Sequence, residues 1–380
     1  MERVTSSFDS AQPTDSVDGH GDQAAVEVDV DFAVNAHADA PPQWLREVVR
    51  SGVDKLGSYP NDQLHAEAIA AIAARHGVDP AQVLLLNGAT EGFSLLPKLR
   101  PAWPVMVHPG VMVAETCLEE SGIDVDRVVL QKPFTLDKAM DKLSFGGVHE
   151  EADLVVIGNP TNPTGKIYSV EELSRLAEPW RYLMVDEAFL TAGDEVSMIS
   201  RVGELPGLIV LRSLSQTWSL SGLRCGYLIS DVGTVALLSR GRAPWPLGTL
   251  QLLAIKAVMG TGDRRETELP AISAALENNR ASMTTELEAA DFTVYPSHAP
   301  YLLVEPPVAG AGEEKPAAAE RLRLGLAARG IAVRRCDTFP GLDLGFWRLA
   351  VRTPSEVAVL LHAMDELNNT DSDQEGTTRE

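Results

Sequence analysis

Ser213-Leu214-Ser215-Gln216-Thr217-Trp218-Ser219-Leu220-Ser221-Gly222-Leu223-Arg224-Cys225-Gly226-Tyr227 begins one residue after the apolar run Leu208 to Leu211. The run predicts a buried strand, the serines a turn at its carboxyl end, and Ser221 to Tyr227 a compact continuation into the next element. Hydroxyls, a carboxamide and a guanidinium are thus gathered where a strand ends. In open α/β sheets that is where ligand chemistry sits.

The same short apolar runs recur on either side. Val83 to Leu86, Val105 to His108, Leu154 to Gly158, Leu183 to Asp186 and Gly226 to Ser230 are bounded by turns, as befits strands covered on both faces. Helical segments lie between most of them. Leu64, Ala68, Ile69, Ile72 and Ala73 share one helical face, Gly77 is a stop, and Asp79-Pro80 opens another turn. This alternation predicts an α/β fold with a mostly parallel, doubly wound sheet. After about Gly262 the rhythm becomes long helix, strand, helix, strand, helix, which predicts a smaller second domain. The expected organisation is a disordered acidic segment (1–29), an arm contributing to the small domain (30–50), a large domain (51–262), the small domain (263–367) and a disordered tail (368–380). The leader is rich in Ser, Asp, Thr, Gly and Gln and lacks apolar periodicity, so it cannot offset the entropy of ordering itself.

Two further motifs fall at strand ends. Asn159-Pro160-Thr161-Asn162-Pro163-Thr164-Gly165 follows Leu154 to Gly158; its prolines and glycine make a rigid turn from which Asn162 can present an amide. Asp186-Glu187-Ala188-Phe189 closes the next strand and places a carboxylate there. Read singly, the turn could be merely structural and Asp186 a helix cap or loop ion pair. Their order along the chain adds information that neither motif carries alone.

That order resembles the fold-type I enzymes of aminotransferase class I/II, which use pyridoxal 5′-phosphate (PLP). The resemblance spans about residues 30 to 367. It includes Tyr59-Pro60, Asn87-Gly88-Ala89-Thr90-Glu91, Arg242-Ala243-Pro244-Trp245-Pro246 and Phe346-Trp347-Arg348-Leu349-Ala350-Val351-Arg352. Within these families the chain is most similar to histidinol-phosphate aminotransferases and to the threonine-phosphate decarboxylase-like proteins of cobalamin synthesis. The resemblance implies a homodimer acting on an amino acid or amino-phosphate. It implies a phosphate cup from Gly88, Ala89, Thr90, Ser213 and Arg224, with Tyr59 reaching the neighbouring subunit's phosphate. Asp186 would face the protonated pyridine nitrogen and Asn162 the ring's phenolic oxygen. Arg348 would grip a substrate carboxylate, with Arg334 and Asn35 as further substrate contacts.

The departures from the family pattern are informative. Phe189 stands where aminotransferases commonly carry tyrosine, which favours the decarboxylase-like branch. Val111 and Ala114 lie where an aromatic usually stacks on the pyridine ring, so stacking is weakened. Gln216 takes the place of the lysine that normally binds PLP as an imine and then moves the substrate α-proton. A carboxamide is neither nucleophilic nor basic. Lys166, after the Asn162 turn, is the nearest substitute by motif, and His108 is a candidate replacement base. Four readings remain: an active aminotransferase-like enzyme, a threonine-phosphate decarboxylase-like enzyme, a noncatalytic PLP-binding pseudoenzyme, or a glutamine placed deliberately to trap a complex.

Composition narrows the class further. The 380 residues are 44% apolar and 23% charged, enough for a large core. Fifty-four acidic against 32 basic residues, a net charge of −22, argue against a nucleic-acid partner. No apolar run is long enough to span a bilayer and the first residues do not read as a secretory signal. Cys117, Cys225 and Cys336 are scattered, without metal-binding or disulfide spacing, which suits a reducing cytoplasm. No histidine has a metal-ligand partner spacing.

Overall fold

The computed structural model describes residues 29–35, 40–144, 146–191, 196–260, 263–308 and 314–377. The acidic leader, apart from Asp29, and the last three residues lie outside the described residues. In chain order the elements begin with β1 (Val30–Asp31), α1 (Gln43–Ser51), α2 (Asp62–His76), β2 (Val83–Asn87), α3 (Ala89–Ser94), β3 (Pro104–His108), α4 (Val113–Glu119) and β4 (Asp126–Val129). Then come α5 (Asp137–Leu143), β5 (Leu154–Gly158), α6 (Val170–Ser174), β6 (Tyr182–Asp186), β7 (Leu208–Ser213), β8 (Cys225–Ser230), α7 (Val232–Ser239) and α8 (Thr249–Met259). The chain closes with α9 (Asp263–Ala289), β9 (Thr293–Val294), β10 (Tyr301–Glu305), α10 (Glu314–Ala327), β11 (Ile331–Ala332), β12 (Arg334–Arg335), β13 (Trp347–Ala350) and α11 (Pro354–Thr377).

Seven strands form one sheet in the order β2-β8-β7-β6-β5-β3-β4. Only β8 runs against its neighbours, pairing antiparallel with β2 and β7. Both faces are covered, which is why the strands read as unbroken apolar runs. Val83, Leu85, Val105, Val155, Val185 and Val210 pack on one face, with Ala68 and Ile72 of α2 and Leu252 and Ile255 of α8. Leu84, Leu86, Met106, Leu154, Met184 and Ile209 pack on the other, with Leu118 of α4 and Val235 of α7. Alternate residues thus serve opposite cores, as the pleat requires.

All six apolar runs that predict strands are strands, within one or two residues at their ends. β4 has no apolar run to announce it, because only Val128 of its four residues is buried and Asp126 and Arg127 are exposed. α2 follows its apolar stripe: the Asn61 side chain accepts from Gln63 N at its start, and Gly77 ends it at φ +66°. Asp79 caps the 3-10 turn Pro80–Gln82.

A separate apolar core gathers the C-terminal elements. Met283 and Leu287 of α9, Leu302 and Val304 of β10, Trp347 and Leu349 of β13, and Val357 and Leu360 of α11 meet there with Phe32 from the N-terminal arm. Here the sheet is four-stranded and antiparallel, β12-β13-β10-β9, and β1 pairs with β11 beside it. Glu305 of β10 ties this part to the large sheet's periphery. It accepts from Lys132 at 2.6 Å and from Lys315 at 2.8 Å, and Lys132 lies 4.5 Å over the Phe346 ring.

Candidate functional site

Because β2, β3, β5, β6 and β7 run the same way, Asn87, His108, Gly158, Asp186 and Ser213 all end at one edge of the sheet. The antiparallel β8 begins at that edge, immediately after Arg224. The segment Ser213 to Tyr227 therefore leaves the edge and returns to it. Ser213 pairs with Gly226, and Asn87 with Cys225. Residues far apart in sequence are thereby brought into one corner.

Two glycines make that corner possible. Gly88 precedes α3 with φ +77° and ψ 156°, a conformation open to glycine and strained for other residues. A Cβ there would lie 2.6 Å from Arg224 Nη2, so the guanidinium packs directly against the bare backbone. A Cβ on Gly226 would lie 2.6 Å from Ala89 N. Arg224 itself has a left-handed backbone, φ +57°. It donates to Ser221 O at 3.0 Å and approaches Thr90 Oγ1 at 3.4 Å. Gln251 of α8 steadies this arrangement, donating to Arg224 O at 2.9 Å and to Asn87 Oδ1 at 2.8 Å. Arg242 clamps Glu91 of α3 through two nitrogens, each 2.9 Å from a carboxylate oxygen. The corner presents a cation, a hydroxyl and a helix start, which together suit a phosphate or another anion.

Asp186 ends β6 in a buried position and accepts from Ala188 N at 3.0 Å. Burial pushes its carboxyl up to about 6, with a contribution from the nearby Glu187 charge; the Ala188 hydrogen bond acts in the opposite direction. Glu187 beside it is held by Arg212 at 2.9 Å, Ser197 Oγ at 2.6 Å and Met198 N at 2.7 Å. The adjacent carboxyls thus have different environments. Glu187 is built into the scaffold, whereas Asp186 lines a small cavity with His108, Val111 and Asn162.

At the second core, Arg348 of β13 donates to Asn162 Oδ1 at 2.9 Å and to Ala33 O at 2.6 Å. With its amide turned, Asn35 accepts from both terminal nitrogens of Arg348, at 3.1 and 3.2 Å. Burial lowers the Arg348 guanidinium to about 10, and its Nε is buried without a partner. Arg334 pairs with Arg348 across β12 and β13 and donates to Thr338 Oγ1 at 2.9 Å. Phe189 meets Tyr301 edge to face at 5.1 Å.

Gln216 is half-buried, and its side-chain oxygen is buried with no hydrogen-bond partner; so is the hydroxyl of Ser215. Tyr59 lies apart from these groups, 77% exposed and stacked on Trp245 at 4.5 Å. His108, a single candidate base in sequence, is part of a buried network. Its Nε2 lies 2.9 Å from Glu115 Oε2, and Glu115 also accepts from Arg127 Nε at 2.7 Å. Burial alone would raise the Glu115 carboxyl, but the His108 and Arg127 hydrogen bonds hold it below its ordinary value. Sequence offered no sign of this network or of Gln251, because both depend on elements meeting in space. Among the described residues no group of His, Cys, Asp and Glu is placed to hold a metal, and no helix is long and apolar enough to cross a membrane.

The model of the family described as aminotransferase class I and II matches residues 28–364. This chain belongs to that family. A histidinol-phosphate aminotransferase of Mycobacterium bovis is 41% identical over 350 residues, covering 91% of this chain and 90% of that protein. A threonine-phosphate decarboxylase of Salmonella typhimurium is 27% identical, covering 88% and 90%. Among solved structures, the histidinol-phosphate aminotransferase of Clostridium acetobutylicum superposes with a TM-score of 0.78 at 22% identity, covering 90% of this chain and 99% of that one. The Sinorhizobium meliloti enzyme in complex with pyridoxal-5′-phosphate superposes at 0.79 with 19% identity, covering 96% and 99%. The aminotransferase-family fold and the mostly parallel sheet expected from sequence are both present.

Proposed function

We propose that this chain binds pyridoxal 5′-phosphate at the sheet edge and takes an amino acid or phosphorylated amino compound beside it, with turnover impaired at Gln216. The observation that carries this reading is Asp186: a buried carboxyl with one backbone donor at 3.0 Å, raised to about 6, at the same edge of the sheet as the Arg224–Gly88 corner. The residues fit the cofactor. Arg224, Ser213, Thr90 and the backbone of Gly88 and Ala89 would hold the phosphate, and Asp186 would hold the ring nitrogen. Asn162 would meet the ring oxygen, near Phe189. When bound, the cofactor supplies an electron sink that stabilises negative charge on the carbon beside the substrate amine.

The chain's own groups define what is missing. Arg348, with Asn35 and Arg334, would orient an anionic substrate, and the Ala33 carbonyl contact would yield to it. At position 216 a carboxamide can neither form the covalent link nor carry the α-proton. Several lysines are engaged elsewhere: Lys98 with Leu238 O and Arg240 O, Lys132 and Lys315 with Glu305, and Lys256 with Glu67. The charge of Lys166 acts on His298, whose imidazole is lowered first by burial and then by Arg280 and Lys166.

The partner would be a second copy, seated over Tyr59, Trp245, Val53 and Leu56, which are all exposed. The three free cysteines suit a reducing cytoplasm. Titration of the protein with PLP should give saturable binding that borohydride does not make permanent, whereas Gln216→Lys should give a reducible complex and gain turnover. A reducible imine in the unaltered chain, or failure of both proteins to bind, would overturn the reading. Phe189 favours decarboxylation as a second reading. Carbon dioxide release from threonine phosphate, measured against amino transfer from glutamate in Gln216→Lys, separates the two.

A further inference from the structure

Met106, Val156 and Met184 stand side by side on β3, β5 and β6 and pack in the core under α3 and α4. The pleat returns every second residue to the same face, so the next row on that face is His108, Gly158 and Asp186. Its middle member has no side chain. The outer two strands of the three are separated by two strand spacings, about 10 Å, so the imidazole and the carboxyl face a gap. A cavity of about 20 Å³ lies there, walled by His108, Gly158 and Asp186, with Phe93, Met106 and Val156 on its core side.

The hydrogen on His108 is placed by its neighbours. Glu115 accepts from Arg127 Nε at 2.7 Å, and its hydrogen bonds hold the carboxyl below its ordinary value, so it offers only acceptors. Nε2 of His108, 2.9 Å from Glu115 Oε2, therefore carries the hydrogen. In the neutral ring Nδ1 is then an acceptor. It is buried and has no hydrogen-bond partner among the described residues. It is also the nearest side-chain atom, at 3.7 Å, to where a Cβ would stand on Gly110, another residue of the cavity wall. Across the gap, Asp186 accepts through Oδ1 from Ala188 N, and its carboxylate has further lone pairs. Two buried acceptors on one cavity call for a donor between them. A polar cavity of roughly 10–15 Å³ takes one water; a pyridine ring is far larger.

We propose that this cavity is a water site in which one water donates to His108 Nδ1 and to the Asp186 carboxylate, making His108 a positioning residue for Asp186. Its purpose rests on the reading that the site takes pyridoxal 5′-phosphate. A donor to the carboxylate favours the ionised form that a protonated ring nitrogen requires, and offsets part of the rise that burial imposes. Glu115 and Arg127 fix which nitrogen of His108 is the acceptor. The other charged or titratable groups facing Asp186 are Glu187, itself paired with Arg212, and Tyr301 of β10, on which the Asp186 charge acts.

The first test is a crystal structure of the full, ligand-free chain at a resolution that shows ordered water. One water within hydrogen-bond distance of both His108 Nδ1 and an Asp186 oxygen is expected; a dry cavity overturns the proposal. That measurement needs neither cofactor nor variant. The role of His108 is read from the carboxyl 13C titration of Asp186 by NMR, with Asp186→Asn identifying the resonance. His108→Gln keeps a donor toward Glu115 and loses the acceptor at Nδ1, whereas His108→Asn keeps an acceptor near Nδ1 and loses the reach to Glu115. Asp186 should titrate about one pH unit higher in His108→Gln and close to its parent in His108→Asn. The reverse order, expected if His108 only held Glu115, overturns the positioning role, as does an unchanged titration in both. Affinity for pyridoxal 5′-phosphate should fall in His108→Gln, and fall further as pH drops from about 8 to about 6; a loss independent of pH overturns the link to Asp186. If the unaltered chain does not bind the cofactor, the reading of the site falls, while the water and the titration still decide this inference.

Discussion

At the scale of single residues, the site is built from groups held in unfavourable states. Gly88 adopts a conformation in which a side chain would be strained and would strike Arg224 at 2.6 Å. Gly88→Ala should therefore destabilise the protein by about 1–3 kcal/mol and weaken phosphate-ligand binding, read from denaturant midpoints and from ligand titration. Asp186 is the electrostatic counterpart. Its carboxyl, raised to about 6 from 3.8, binds a proton more readily in the folded chain than in the unfolded one. Between these values the folded state holds the extra proton, so the Asp186 contribution to stability falls as pH rises through the window and stays unfavourable above it. A shift of about two pKa units corresponds to an effect on the order of 3 kcal/mol. Asp186→Asn should accordingly stabilise the ligand-free protein at pH 7.5 relative to its parent, with the gain shrinking as pH falls from about 6 to about 4, while weakening PLP binding. Chemical denaturation at the two pH values checks the first claim; an equal gain at both would contradict it. A residue that would serve the proposed ligand is thus a liability without it.

Elements of secondary structure carry these residues into place, and their own anchors are legible in the same terms. β6 and β7 are pinned at the site edge by the buried Glu187–Arg212 pair, which also holds the turn Met198–Arg201 through Ser197 and Met198. Removing one partner leaves a buried charge uncompensated, so Arg212→Met should cost about 3–5 kcal/mol, and adding Glu187→Gln should recover a substantial part. A double-mutant cycle in urea measures the coupling. The arm preceding α1 is held by Arg348 at Ala33 O and by Arg352, which donates to Asp31 O and Val34 O, each at 2.7 Å. Arg352→Leu should raise amide exchange in residues 29–35 while leaving β5 to β7 protected, as hydrogen-exchange mass spectrometry would show. Six strands and α2 were readable because their apolar residues repeat with the period of the element and the caps Asn61 and Gly77 mark its ends. β4 was not readable, since a mostly exposed edge strand needs no apolar run.

At the scale of the whole molecule, the exposed stack of Tyr59 on Trp245, with Val53 and Leu56, is a surface suited to a second copy. Tyr59→Glu combined with Trp245→Glu should shift sedimentation toward monomer and reduce cofactor affinity, because Tyr59 would serve the neighbouring site. A dimer unchanged by both substitutions would place the interface elsewhere. The order of the motifs in the chain was enough to reveal the family, because each is a local match of turn and strand end: Asn87 to Glu91, the Asn162 turn, Asp186 to Phe189 and Ser213 to Tyr227. Gln216 was equally plain, since the identity of a side chain needs no coordinates. What the sequence could not contain was the company each side chain keeps. Arg224 lies under Gly88 because β8 returns antiparallel between β2 and β7; Gln251 reaches Arg224 from α8; His108 and Arg127 both bind Glu115. These contacts join residues brought together only by the sheet order, and the burial that raises Asp186 and lowers Arg348 exists only once the layers have closed over them. Local chemistry and periodicity are written along the chain; contact and dielectric environment arise when distant segments exclude water together.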